Sequence, residues 1–436
     1  MTDASTTPLA PLLDAPKPDL AAALTRWWTP AVAAVAVPVL LAFNLPPSPT
    51  FFNQAAAIIG WGVFACAVGW QLRGPVRWRG GLLSLIAAMG LVGLAAAGAS
   101  LFDGLPAPLM WSAVGVMAAV VGVAVCGATA RANGGEAVFA AFCAALMLAG
   151  ALSVVIAVLQ VFAPDVIDGN WIAAASGDGR AAGNVRQPNH LSSLLLWSVI
   201  ATVAFVHGIT RERLGAWCLL VALVFAMVLT GSRTGVIGVL LLGAWGLADG
   251  RLPKSLRAML VAVPVIYLAC WVLMTGVSHI GLGAVGGETH LTDTAASPNS
   301  RLNIWSNTVS LIARHPWLGV GFGEFNFAWS LTPFPQRPTA FFDHTHNLPL
   351  QFAVELGLPL ATLVLALLGH ALWQAFAAGR HATGEAAVMH RAAFMMVLMM
   401  VVHSFTEYPL WYAYFLLPTT FAFGFCLGVP QAAGPA

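Results

Sequence analysis

The chain has 436 residues, 59% of them hydrophobic and only 8% charged, against roughly a quarter charged in ordinary soluble domains. With a mean hydropathy of +0.82 and a net charge of +2, the composition excludes a soluble enzyme, a disordered chain and a nucleic-acid binder: there is too little polar surface to cover a core and no basic patch for a polyanion. The apolar runs are long and unbroken rather than alternating, which excludes a membrane barrel and leaves an all-α integral membrane protein.

In chain order, residues 1–26 are polar and rich in Pro and Ala. They lack the short apolar segment of a cleavable signal and are expected to form a cytoplasmic tail. Apolar windows of about 20 residues then predict about twelve transmembrane helices, near 27–44, 52–72, 81–101, 108–130, 136–162, 189–208, 212–230, 234–249, 256–278, 347–376, 387–406 and 410–428. Nine of them fill 27–278 and three fill 347–428, leaving a short cytoplasmic tail over 429–436. With the N-terminus inside, thirteen basic residues fall on the cytoplasmic side and six outside, together the 19 in the chain. Both lysines are inside, and the asymmetry satisfies the positive-inside rule.

Two outer loops are long, one near 163–188 and one over 279–346. Within the second, Ser300 can cap a helix that carries Leu302, Trp305, Val309 and Ile312 on one face, an amphipathic segment lying on the membrane surface or over a cavity. The six cysteines lie in apolar runs with no paired spacing and read as buried free thiols.

Polar residues at membrane depth are costly and tend to mark function. Here they gather at the outer side, in Gly183–His190, Gly231–Gly235, Ser300–Trp305 and Asp343–Asn347, with a smaller group of His403, Glu407 and Tyr408. Arg186, Arg233 and His346 each sit just before a helix that runs inward, and Arg301 begins the loop helix. Free N–H groups and the helix dipole favour an anion at such positions, and arginine adds a forked donor that stays charged. Three arginines at three helix N-termini, beside Gln187 and Asn189, suit a diphosphate. Taken singly, each arginine also reads as an interfacial anchor. Gly319, Gly321 and Gly323 follow no strand and read as a flexible turn rather than a phosphate loop.

His344 and His346 have no accompanying carboxylate or histidine at zinc spacing, so no metal or other cofactor is expected. A histidine beside an anion site suits a general base. Asn347, Gln351 and Glu355 follow at i, i+4 and i+8 as one polar stripe. Glu355 is read either as the group that orients a histidine or holds a water, or as a structural contact.

These motifs together resemble the superfamily of O-antigen ligases, O-antigen polymerases and bacterial protein O-oligosaccharyltransferases. The resemblance covers roughly residues 180–410. It is carried by Arg186-Gln187-Pro188-Asn189-His190, Gly231-Ser232-Arg233-Thr234-Gly235, Arg301 with Trp305 before His315-Pro316 and Gly319-Val320-Gly321, His346-Asn347 with Glu355-Leu356-Gly357, and His403 to Leu410. It implies a glycan donor on undecaprenyl diphosphate, metal-independent inverting transfer, and an active site on the periplasmic face of a Gram-negative inner membrane. Carried over by motif, His346 is the catalytic base with His344 as its competitor. Arg186, Arg233 and Arg301 are the diphosphate ligands, and Gln187, Asn189, Asn347, Glu355, Glu407 and Tyr408 support them.

The acceptor is expected to be lipid A–core, as in an O-antigen ligase, because the last span ends about ten residues before Ala436 and leaves no room for the extension common in protein-directed relatives. A protein O-oligosaccharyltransferase is the nearest alternative, supported by Gln187-Pro188-Asn189-His190 and Glu407-Tyr408-Pro409-Leu410, and a polymerase is third. A twelve-span secondary transporter is the competitor from another class. Its charges are expected near mid-membrane in repeated halves, and no halves match here.

Overall fold

The computed structural model describes residues 20–46, 48–102, 104–206, 213–279, 301–334, 342–382 and 384–430. Most of the expected N-terminal tail, the cap residue Ser300, the loop stretches 280–300 and 335–341, and residues 431–436 lie outside the described residues.

The described residues form fourteen α-helices and no strand. They are α1 Leu20–Leu40, α2 Phe51–Gln71, α3 Gly80–Phe102, α4 Ala107–Ala132, α5 Glu136–Phe162, α6 Pro188–Val206, α7 Arg213–Thr230, α8 Arg233–Ala248, α9 Lys254–His279, α10 Arg301–Arg314, α11 Phe325–Leu331, α12 Leu348–His381, α13 Gly384–His403 and α14 Ala413–Leu427. Each of the twelve apolar windows coincides with one helix. Eight helices are long and apolar enough to cross a membrane, and α7, α8 and α14 are shorter apolar helices. Ile59, Leu94, Leu240 and Leu268 point out of the bundle and stay largely exposed, as a hydrocarbon solvent favours. The chain is a multi-pass membrane protein.

α6 is the axis of the bundle. In its apolar window 89% of the residues are buried, against 22% in α4 and α9, and it packs on α5, α7, α8 and α13. Close approach is bought by small residues: a Cβ on Gly127 of α4 would meet the Phe421 carbonyl oxygen at 2.2 Å, and one on Gly424 of α14 the Ala124 carbonyl oxygen at 2.0 Å. Without a hydrophobic drive between helices in lipid, such backbone contact supplies the packing energy. Of the cysteines, Cys126, Cys143 and Cys426 are buried as expected, whereas Cys66 and Cys218 face outward; all six are free.

The amphipathic α10 buries Ile304, Asn307, Thr308 and Leu311, with Ile304 and Leu311 packed on Phe325, Trp329 and Val354. Trp305 and Ile312 of the expected apolar face pack at the edge of that cluster, and Leu302 and Val309 stay exposed, as on a helix lying at a membrane surface. The expectation for Gly319–Gly323 changes: the segment is docked, not flexible. Gly357 (φ 73°, ψ 162°) kinks α12, and Pro359 has no N–H to offer. The carbonyls freed there are taken by the loop: Val320 N–H donates to Val354 at 2.8 Å and Gly321 N–H to Glu355 at 3.2 Å, while Leu358 N–H turns to Pro316 at 2.8 Å.

Candidate functional site

Four chain segments meet at one end of the bundle, and each is shaped by local capping. At the start of α6, the Gln187 side chain accepts the His190 N–H at 2.7 Å. At the start of α8, Ser232 accepts the Gly235 N–H at 3.0 Å. At the start of α12, Asn347 accepts the Leu350 N–H at 3.0 Å and donates to the Phe405 carbonyl at 3.0 Å. The turn after α13 is tied to the same place, since Leu348 N–H donates to Ser404 at 2.8 Å. Side-chain oxygens satisfy the orphan N–H groups of each helix start and at the same time stitch the starts together.

Glu407 lies at the centre, with its side chain only 5% exposed. One carboxylate oxygen accepts from the Arg301 guanidinium and from Asn189 Nδ2, the latter at 2.9 Å. The other is 2.7 Å from His346 Nδ1. Burial alone would raise the carboxyl, but the hydrogen bond from His346 and the charges of His346 and Arg301 outweigh it and bring it down to about 2. An ionised Glu407 can only accept. The neutral imidazole of His346 therefore places its proton on Nδ1, toward Glu407, and its lone pair on Nε2.

Behind Glu407 the network continues into α8. Ser232 Oγ donates to Asn189 Oδ1 at 2.7 Å, which turns the amide N–H toward the carboxylate. Thr234 and Thr406 approach within 3.5 Å on the other side of Arg233. Both links flank Arg233, the first residue of α8, and set it beside the Glu407 turn. Arg186 donates to the Ala42 carbonyl. Arg186 and Arg301 each retain a buried Nε–H with no acceptor, a pattern that calls for an explanation.

Backbone strain is concentrated here. Glycines aside, Arg186 (φ 60°) and His346 (φ 55°) have positive φ among the described residues. The left-handed region costs an L-residue about 1–2 kcal/mol, and such strain clusters at functional positions.

The remaining expected residues take different places. Tyr408 packs its ring 4.8 Å from His346 and 4.5 Å from His344. His344 is wedged between Tyr408 and Trp411, 4.7 Å from the latter. Burial pulls its imidazole down to about 4, with Asp343 opposing and His346 reinforcing. It does not join the Glu407 network. Glu355 does not touch a histidine: it accepts from Gln351 at 3.0 Å, and Gln351 accepts the Thr345 N–H at 2.8 Å. Of the roles read for Glu355, orienting a histidine does not describe this geometry among the described residues. Ser232 and Thr345 were not singled out as site residues. Ser232 carried a signal, a hydroxyl in the cap position of an inward-running helix; Thr345 carried only its place in the polar run Asp343–Asn347.

A family model described as O-antigen ligase matches residues 218–365. A second, described as the C-terminal part of a virulence factor membrane-bound polymerase, matches 391–433, and a third, described as protein glycosylation ligase, matches 181–205. Among curated proteins the chain is 27% identical over 262 residues to a general O-oligosaccharyltransferase of Acinetobacter baylyi, covering 59% of this chain and 44% of that one. It is 23% identical over 299 residues to a ComP-specific O-oligosaccharyltransferase of the same organism, covering 68% and 52%. The chain spans about half the length of the curated relatives it matches.

Proposed function

Since the chain belongs to the superfamily of O-antigen ligases, O-antigen polymerases and O-oligosaccharyltransferases, we propose that it transfers a glycan from a lipid diphosphate carrier, undecaprenyl diphosphate, to an acceptor hydroxyl at the periplasmic face of a Gram-negative inner membrane. The observation that carries this reading is the His346–Glu407–Arg301 constellation, with a free imidazole Nε2 beside unsatisfied arginine donors.

In the reaction, His346 Nε2 takes the proton of the acceptor hydroxyl as its oxygen attacks the anomeric carbon. The bond from that carbon to the diphosphate breaks, its electron pair stays on the departing oxygen, and the configuration inverts. Glu407 holds the imidazole in one tautomer and balances the imidazolium that forms. Arg186, Arg233 and Arg301 stabilise the charge that develops on the diphosphate, working from helix N-termini. A sugar diphosphate already has a good leaving group, so charge stabilisation and one base suffice.

For the acceptor, we place a Ser or Thr hydroxyl of a protein first. The protein glycosylation ligase match covers the segment that supplies Arg186, Gln187 and Asn189, and both curated relatives are named O-oligosaccharyltransferases. Lipid A–core is the second reading, favoured by the O-antigen ligase match across Arg233, Arg301 and His346. Reconstitution with a lipid-diphosphate-linked glycan and both acceptors in competition tests it. Glycosylated protein is the expected product; transfer to lipid A–core alone selects the second reading; solute transport without glycan transfer overturns both.

A further inference from the structure

The mark shared by Arg186 and Arg301, a buried Nε–H without an acceptor, occurs at one other arginine among the described residues, Arg131. It lies at the opposite end of the bundle, in the last turn of α4. The 20-residue α13 runs from that end to the His403–Glu407 turn, which puts Arg131 about 30 Å from the site just described.

Arg131 is 9% exposed. Its guanidinium lies 5.5 Å from the centre of the Phe425 ring, and among the described residues it forms no ion pair within 4 Å, whereas nearby Arg391 pairs with Asp249 at 3.1 Å. A buried guanidinium whose nearby carboxylate, Glu136, acts on it only from beyond ion-pair distance is costly, and a cation over one ring returns only part of that cost.

The residue lines a cavity of about 150 Å³, bounded also by Gly134, Glu136, Ala386, Phe425 and Pro430, well above the ~15 Å³ that one water requires. Ala386 lies in the first turn of α13, where N–H groups have no partner within the helix and the dipole favours an anion. The cavity thus combines an unpaired guanidinium, a helix N-terminus and, at Glu136, one exposed carboxylate.

We propose that this cavity binds the headgroup of a zwitterionic aminophospholipid, phosphatidylethanolamine. The phosphate engages Arg131 and the start of α13, and the ammonium engages Glu136. A diester phosphate gives Arg131 the acceptor it lacks. Glu136 selects an ammonium-bearing headgroup over an anionic one and, by its hydrogen-bonding geometry, over a quaternary choline. The rest of the lining, Ala132, Ala386, Phe425 and Pro430, is apolar and suits the glycerol end of a lipid headgroup better than a soluble phosphate ester.

Native mass spectrometry of the delipidated, detergent-solubilised full chain tests this, with phosphatidylethanolamine, phosphatidylglycerol and phosphatidylcholine titrated separately and with phosphoethanolamine and inorganic phosphate as competitors. The wild type is expected to bind phosphatidylethanolamine in preference to the other two lipids. Arg131→Gln is expected to weaken that binding by about tenfold or more, the scale of a lost charge-assisted hydrogen bond. Glu136→Gln is expected to keep lipid binding and lose the headgroup preference. Unchanged phosphatidylethanolamine binding in Arg131→Gln, or an unchanged preference in Glu136→Gln, overturns the proposal. Equal displacement by phosphoethanolamine or phosphate overturns the lipid source. If Arg131→Gln does not fold, Glu136→Gln, altered at an exposed side chain, still decides.

Discussion

His346 and Arg186 hold a conformation that most side chains avoid, and that separates two effects a mutation can have. Asn tolerates the left-handed region better than Ala. His346→Asn is therefore expected to unfold at a higher temperature than His346→Ala, with transfer strongly impaired in both; melting curves of the purified variants check this. Glu407 gives a pH test. Its carboxyl is ordinarily near 4.5 and is held at about 2 in the folded chain. Its contribution to stability is complete above the ordinary value and is lost as pH falls from there toward about 2. Glu407→Gln should consequently flatten the acid side of the stability curve, measured as unfolding temperature from pH 6 down to about 3, and a Gln variant that keeps the wild-type slope would place the effect elsewhere. The Lys variants of Arg186, Arg233 and Arg301 should each weaken lipid-diphosphate donor binding by about tenfold, and unchanged binding in all three would make these residues anchors. At this scale the residue types were legible in the sequence, because charge in so apolar a chain stands out. Their pairing was not: Asn189, Arg301, His346 and Glu407 lie far apart in the chain and meet through packing alone.

The helices were legible as elements because unbroken apolar runs about 20 residues long admit one structure in a bilayer. Their ends were less so. The turn between α13 and α14 carries Phe405, Leu410 and Trp411, so hydropathy ran the helices into it, whereas α13 stops at His403 and α14 starts at Ala413. The seven-residue α11 has too few turns to show a period. The protein-facing stripe of α10 was not legible as such, because it includes Asn307 and Thr308 beside Ile304 and Leu311. The kink in α12 yields a prediction at this scale. Gly357 occupies a region open essentially to glycine, and a Cβ there would meet the Trp317 carbonyl oxygen at 2.3 Å. Gly357→Ala should cost about 1–3 kcal/mol from the backbone conformation alone, with the clash adding to it. Thermal unfolding in detergent measures the loss, and a variant as stable as wild type would show that the loop 316–321 is not docked as described.

Across the whole molecule, one end concentrates strain, unsatisfied arginine donors and a buried carboxylate–imidazole pair, while the other carries Arg131, Asp249, Arg251 and Arg391. The excess of basic residues at the second end is the basis for setting it in the cytoplasm. Gly177→Cys, in the loop before α6, should react with an impermeant thiol reagent in intact spheroplasts, and Gly250→Cys, between α8 and α9, only after permeabilisation; the reverse pattern would invert the proposed topology. The central claim is that His346, held by Glu407, accepts the proton of the incoming hydroxyl while arginines hold the diphosphate. Single-turnover glycan transfer from a purified lipid-diphosphate donor, in liposomes containing wild type or His346→Asn at equal density, tests it most directly. The account predicts transfer by the wild type and a rate about 10²–10⁴ lower for the variant, with donor binding retained. Transfer by His346→Asn at the wild-type rate would contradict it.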